Sequence, residues 1–153
     1  MVKMYKKIII GIDSSEHAMK AVEKAIELHK VDQSEIVVFH SVMHKYSDII
    51  PTFGNVTPST PITYELQRDR AKSANELMEA VKKKFEEKNV PVDTRLIYNI
   101  GPQYYIENQV KEEKFDLVIL GCGGEHSKLR RTILGTVPEY VLNHADCHVL
   151  IVK

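Results

Sequence analysis

The residues of this chain best suited to hold a ligand are one acid and a group of glycines. Asp13 follows an apolar run directly, and so does the stretch GCGGEHSKLRRTILGT at 121–136. Glycines let a backbone approach an anion closely and turn successive N–H groups toward it. A helix that starts just beyond adds unpaired N–H donors and a partial positive charge. Gly135-Thr136 stands where such a helix would start. The stretch forms no Walker-type GxxxxGK[ST] motif. An aspartate at a neighbouring strand end can accept hydrogen bonds from sugar hydroxyls, so acid and glycines together suit a nucleotide.

Each piece also has a plainer reading. Glycines after a strand often only make a turn. Thr136 and Glu139 spell T-x-x-E, a capping box in which the hydroxyl serves its own helix. Asp13 could cap the first helix together with Ser14 or Ser15, and Arg130 and Arg131 could clamp a phosphate or lie exposed. Other chemistry is thinly represented. Ser14 and Ser15 have no evident His and acid partners, and neither HExxH nor paired CxxC occurs. His144, Cys147 and His148 form a loose H-x2-C-H that fits no common zinc spacing, and His148 reads as the start of a strand. His40 reads as a satisfied histidine at a strand end. Cys122 and Cys147 are the only cysteines and read as free thiols.

Those residues must be positioned by alternating elements. Lys6–Ile12, Glu35–His40, Val92–Tyr98, Leu117–Leu120 and His148–Val152 read as strands, most of them continuous apolar runs of the kind buried on both faces. Between them, Ser15–Lys30 carries Ala18, Val22, Ala25 and Ile26 on one helical face. A second helix from about Tyr64 to Lys88 carries Ala71, Ala74, Met78, Val81 and Phe85. Gly101-Pro102 opens a third helix with Ile106 and Val110 inward, and Gly135-Thr136 opens a short fourth through Val141 and Leu142. Strict alternation predicts an open five-stranded parallel sheet with helices on both faces. In the order 3-2-1-4-5, common among doubly wound folds, the ligand crevice lies between strands 1 and 4, where Asp13 and the glycines meet. The connection from Met43 to about Pro61 exceeds the usual βα loop and reads as either mobile or a lid.

With 153 residues the chain is read as one domain, 1–153. Its 21 basic and 21 acidic residues cancel, so no global field favours nucleic acid or anionic lipid. Nothing approaches the roughly 18 apolar residues of a membrane span, and no signal-peptide pattern precedes Asp13; a cytoplasmic protein is expected.

These residues resemble the universal stress protein family, of the Rossmann-like, adenine nucleotide alpha-hydrolase-like class. The resemblance is carried by MYKKIIIGIDSSEHAMKAVEKA, VVFHSV, NIGPQYYI, FDLVILGCGG and LGTVPEYVLNHADCHVLIVK, nearly the whole length. ATP-binding members carry G-x2-G-x9-G-(S/T) after the fourth strand. Gly121, Gly124, Gly135 and Thr136 match its fixed positions, with one residue more between the second and third glycines, within 125–128. Pro138 stands where members often have a hydroxyl. The resemblance implies that the backbone at Ser41 and Val42 holds the adenine edge, that Gly11 and Ile12 flank the base, and that Asp13 and Gly121, adjoined by Leu120, hold the ribose. Gly124, Gly135, Thr136 and Val137 would cradle the phosphates, with magnesium. It further implies a regulatory ATP-binding module with little or no hydrolysis, and a homodimer through the C-terminal strand, whose apolar edge needs cover. A weak ATPase and a nucleotide-free interaction dimer are the alternatives. The related ligases' SGGxDS-type loop is absent from IDSSEH.

Overall fold

The computed structural model describes residues 2–43, 61–123 and 134–153. Five parallel strands form one sheet in the order β3-β2-β1-β4-β5, as expected. They are β1 (Lys7–Gly11), β2 (Glu35–Val42), β3 (Asp93–Tyr98), β4 (Leu117–Gly121) and β5 (His148–Val152). The helices are α1 (Glu16–Asp32), α2 (Pro61–Glu87), α3 (Pro102–Glu113) and α4 (Thr136–His144). β2 runs two residues past the predicted His40. His40 and Ser41 break the apolar run, yet pairing with Leu96 and Ile97 of β3 carries the strand on.

The sheet is buried on both sides because the middles of its central strands, Ile8–Ile10, Ile36–Phe39 and Leu117–Leu120, are unbroken apolar runs. Ile8 and Ile10 of β1 face α1 and α2, together with Val22, Met78, Val81 and Phe85. Ile9 faces the other way, with Phe39, Ile106, Val110 and Val141 on the side of α3 and α4. Full burial of each such side chain is worth about 1.5–3 kcal/mol. Of the predicted inward residues, Ala18, Val22, Ala25, Ile26, Ala74, Met78, Val81, Phe85, Ile106 and Val110 are all buried, while Ala71, near the start of α2, is only partly so. In α4, Val141 is buried and its neighbour Leu142 is 48% exposed.

The N-terminal edge of the sheet is fastened by side chains. Asp32 accepts from the N–H groups of Met4 (3.2 Å) and Tyr5 (3.0 Å), and Asp116 accepts from those of Lys6 (2.8 Å) and Lys7 (3.0 Å). Arg95 of β3 donates to Glu113 at the end of α3 (Nη2–Oε2 3.1 Å), and Lys7 of β1 donates to the same carboxylate (3.0 Å). These contacts fix β1 and α3, whose opposite ends border the crevice. No helix among the described residues is long and apolar enough to cross a membrane.

Candidate functional site

At the opposite edge of the sheet, β1 and β4 diverge into α1 and the glycine stretch. β1 ends at Gly11, and Ile12 N–H still donates to Phe39 O (3.0 Å). Asp13 Oδ1 then accepts from Ser15 N–H (2.9 Å), and Ser15 is the N-cap of α1, its hydroxyl accepting from Ala18 N–H (3.2 Å). Asp13 thus braces the helix start through Ser15, as the capping alternative expected, and spends one carboxylate oxygen doing so.

Across the crevice, Gly121 is required by the fold. A Cβ there would stand 2.7 Å from the carbonyl carbon of His17 and 2.9 Å from Ala18 N, so α1 reaches the end of β4 only because Gly121 has no side chain. Gly135 differs. Its φ of −64° and ψ of 162° suit any residue, and among the described residues a Cβ would meet nothing closer than Pro138 Cδ at 3.5 Å. Neither its backbone conformation nor packing among the described residues demands glycine at 135.

Gly135 is the N-cap of α4. This corrects the capping-box reading of Thr136, which is the first helical residue; Glu139 N–H bonds Gly135 O (3.1 Å), one position earlier than T-x-x-E requires. The Thr136 hydroxyl is exposed and makes no hydrogen bond among the described residues. Gly135 N–H is already held by Cys122 O (3.3 Å), and Pro138 has no N–H. The helix start therefore offers two donors, the N–H groups of Thr136 and Val137. The missing donor at Pro138 was readable from its residue type, beyond the lost hydroxyl.

A cavity of about 380 Å³ brings together Gly11, Ile12, Asp13, Leu120, Gly121, Gly135, Thr136 and Val137. Asp13 is the one charged side chain among its described lining residues. Ser15, Ala18, Pro102 and Pro138 also line it; Gly101-Pro102 reads in the sequence as a helix start, and Pro102, the first residue of α3, borders the crevice as well. Ser41 and Val42 lie instead in an adjoining cavity of about 520 Å³ between β2 and α2, which meets the first at Asp13. Val42 O accepts from Asn99 N–H (2.9 Å), toward β3. Parallel ladders alternate sides, so Ser41, like Phe39, turns its amide groups toward β1, which has already ended. Gly124, Arg130, Arg131, residues 125–128 and most of the 43–61 connection lie outside the described residues.

The other candidates are otherwise engaged. His144 Nδ1 lies 2.8 Å from Tyr140 O and its ring stacks on Tyr140, while His148 Nδ1 lies 3.1 Å from Tyr5 Oη. Among the described residues no three potential ligands cluster for a metal. Both cysteines are free, and burial pushes the Cys147 thiol up to about 11, away from thiolate chemistry.

The order 3-2-1-4-5, with a crevice where the strand order reverses, defines a doubly wound α/β protein of the kind that binds ligands beyond its strand ends. Residues 4–153 match the universal stress protein family, and the chain belongs to it. It is 31% identical over 151 residues to a universal stress protein of Methanocaldococcus jannaschii, covering 98% of this chain and 83% of the relative. It is 30% identical over 155 residues to the universal stress protein YxiE of Bacillus subtilis, covering 98% and 100%. The structure of the universal stress protein UspA from Lactobacillus plantarum superposes with a TM-score of 0.80 at 24% identity, covering 100% of both chains. More distant folds carry nucleotides. An Arabidopsis thaliana family protein with AMP bound has a TM-score of 0.65 at 19% identity, covering 97% of this chain and 91% of its own. An Archaeoglobus fulgidus universal stress protein in complex with dAMP has a TM-score of 0.65 at 17% identity, covering 98% and 99%.

Proposed function

We propose that this chain is a regulatory module that binds ATP at the ends of β1 and β4 and hydrolyses it slowly or not at all. The observation that carries the reading is the free start of α4. Two N–H groups unpaired among the described residues, at Thr136 and Val137, border the same cavity as Asp13, and they stand behind a glycine that neither its conformation nor packing among the described residues explains. Helix N-termini of this kind favour phosphate. Asp13, with one oxygen spent on Ser15, keeps the other for the sugar, with Gly121 and Leu120 beneath. Gly11 and Ile12 flank the base, and Ser41 and Val42 border its far end. Gly124 completes the phosphate cradle. Adenine nucleotides bound to relatives of the same fold support the choice of ligand.

For magnesium, the described residues at the phosphate end offer the Thr136 hydroxyl. An octahedral oxygen shell then requires the phosphates and water to supply the rest. The chain acts as one domain in the cytoplasm and pairs two-fold through the edge of β5. Light scattering would read twice the monomer mass; a monomer at high concentration contradicts the pairing. The second reading, a nucleotide-free interaction dimer, is favoured by one observation: Gly135 N–H is occupied and Pro138 supplies none, so the cradle is short of donors.

The test is isothermal titration of ATP with magnesium into the wild type and Gly135→Leu. The leucine should fill the phosphate end and weaken binding by about a hundredfold or more, with the thermal midpoint unchanged. Equal affinity in the two proteins removes the cradle. No binding to the wild type at millimolar ATP leaves the nucleotide-free dimer.

A further inference from the structure

The N-terminal edge of the sheet turns its acids inward and its lysines outward where β1 meets the end of α1. Asp32 and Asp116 are spent on the N–H groups of residues 4–7, and Glu113 on Arg95 and Lys7. Lys3, Lys6 and Lys30 are exposed and form no ion pair among the described residues. Aliphatic side chains stand among them. Val2 is 99% exposed, Val31 74% and Met4 72%, beyond every other large apolar side chain described. Backbone and side-chain bonds hold this segment against α1: Met4 N–H donates to Asp32, the residue after Val31, and Lys3 Nζ donates to Gln33 O (3.3 Å). Apolar and cationic groups therefore share one end of the molecule. Glu35 at the head of β2 is also exposed there, and exposed Lys114 at the end of α3 offsets it.

We propose that this end is a peripheral docking surface for an anionic lipid bilayer, in which Val2, Met4 and Val31 enter the headgroup boundary and Lys3, Lys6 and Lys30 meet lipid phosphates. Charge complementarity selects the anionic surface, and the aliphatic side chains select lipid. Lysines bury their stems in the boundary and keep their ammonium groups among the headgroups, while apolar neighbours reach the acyl chains. Nucleic acid rewards the lysines alone and leaves the aliphatic side chains in water. The one ring nearby, Tyr5, is turned to His148 rather than free to stack on a base. The chain as a whole is neutral, so the attraction is local and acts within about 10 Å of the surface. The crevice lies at the opposite end of the strands and stays open to solution on a docked molecule.

The experiment sediments the full chain with vesicles of phosphatidylcholine alone and with an equal mixture of phosphatidylcholine and phosphatidylglycerol. Wild type should bind the mixed vesicles tighter by about tenfold or more at about 0.05 M salt, and lose most of that preference at about 0.5 M. Lys3→Gln, Lys6→Gln and Lys30→Gln together should weaken binding by about a hundredfold. Lys72→Gln, Lys82→Gln and Lys83→Gln together remove the same charge from exposed positions of α2 and should weaken it by less than about threefold. Val2→Ser, Met4→Gln and Val31→Ser together keep every charge and should weaken it by about tenfold or more. All these positions are exposed, so thermal midpoints should stay at the wild-type value. A wild type with no preference for the mixed vesicles, or an equal loss from the α2 variant, overturns the proposal. So does undiminished binding by the aliphatic variant, which would mean that charge adsorbs without insertion. Binding of polyglutamate without binding of vesicles overturns it in favour of an acidic protein partner.

Discussion

The two edges of the sheet treat their polar groups in opposite ways. At the N-terminal edge, polar groups find partners within the chain: Asp32 and Asp116 each accept two backbone N–H groups, Ser34 donates to Tyr5 O, and the Arg95 guanidinium is shared among Asp93, Gln109 and Glu113. At the C-terminal edge, two helical N–H groups, the Thr136 hydroxyl and His40 Nε2 have no partner among the described residues. Buried polar groups without partners cost stability, so a fold keeps them open to solvent or ligand. One edge secures the architecture, and the other leaves donors and acceptors for something outside the chain.

Gly121 marks where that division fails, because it lies at the open edge and belongs to the fold. Its missing side chain lets α1 settle on β4, so Gly121→Val should force the backbone at His17 and Ala18 away and cost about 3 kcal/mol. Urea unfolding monitored by circular dichroism measures it. Gly135→Leu, in the same cavity, should leave that curve in place. A Gly121→Val protein within about 0.5 kcal/mol of wild type would mean that α1 can shift at little cost and that Gly121 is free to serve a ligand alone.

The architecture was largely legible from residue periodicity. Strands such as IIIGI and LVIL are buried on both faces, and a helix that places Ala74, Met78, Val81 and Phe85 on one side has few other ways to bury them. Half of the site was legible too, since Asp13 and Gly135-Thr136 sit at element ends that a strand order brings together. What escaped were features set by a single bond or by a distant neighbour. The T-x-x-E pattern at Thr136 matches a capping box in spelling, but the helix begins one residue earlier, because Glu139 N–H closes on Gly135 O. His40 reads as satisfied, and one nitrogen is; the residue also lines a cavity whose far wall, Leu66, Asp69 and Ser73 of α2, lies some thirty residues on in the chain. Likewise Ser41 and Val42 fall in that second cavity because β2 outlasts β1, a length difference that an apolar run broken at His40 conceals.

The closed edge can be opened by acid. Hydrogen bonds from Arg95 and then Lys7 hold the Glu113 carboxyl down to about 2, from an ordinary value of 4.5. Between those values the unfolded chain binds a proton that the folded chain refuses, so stability falls as pH drops through this window. The contribution is fully present above about pH 4.5 and gone below about pH 2. Glu113 is partly exposed, at 30% of its side chain, and solvent screening reduces the pair to about 2 kcal/mol. Glu113→Gln keeps the shape and removes the charge. Its unfolding free energy in urea should lie about 2 kcal/mol below wild type at neutral pH, and the gap should close as both are taken toward pH 2. A gap that stays constant with pH would mean that Glu113 acts by packing rather than by charge, and the network around Arg95 would then hold the N-terminal edge no more firmly than ordinary surface pairs do.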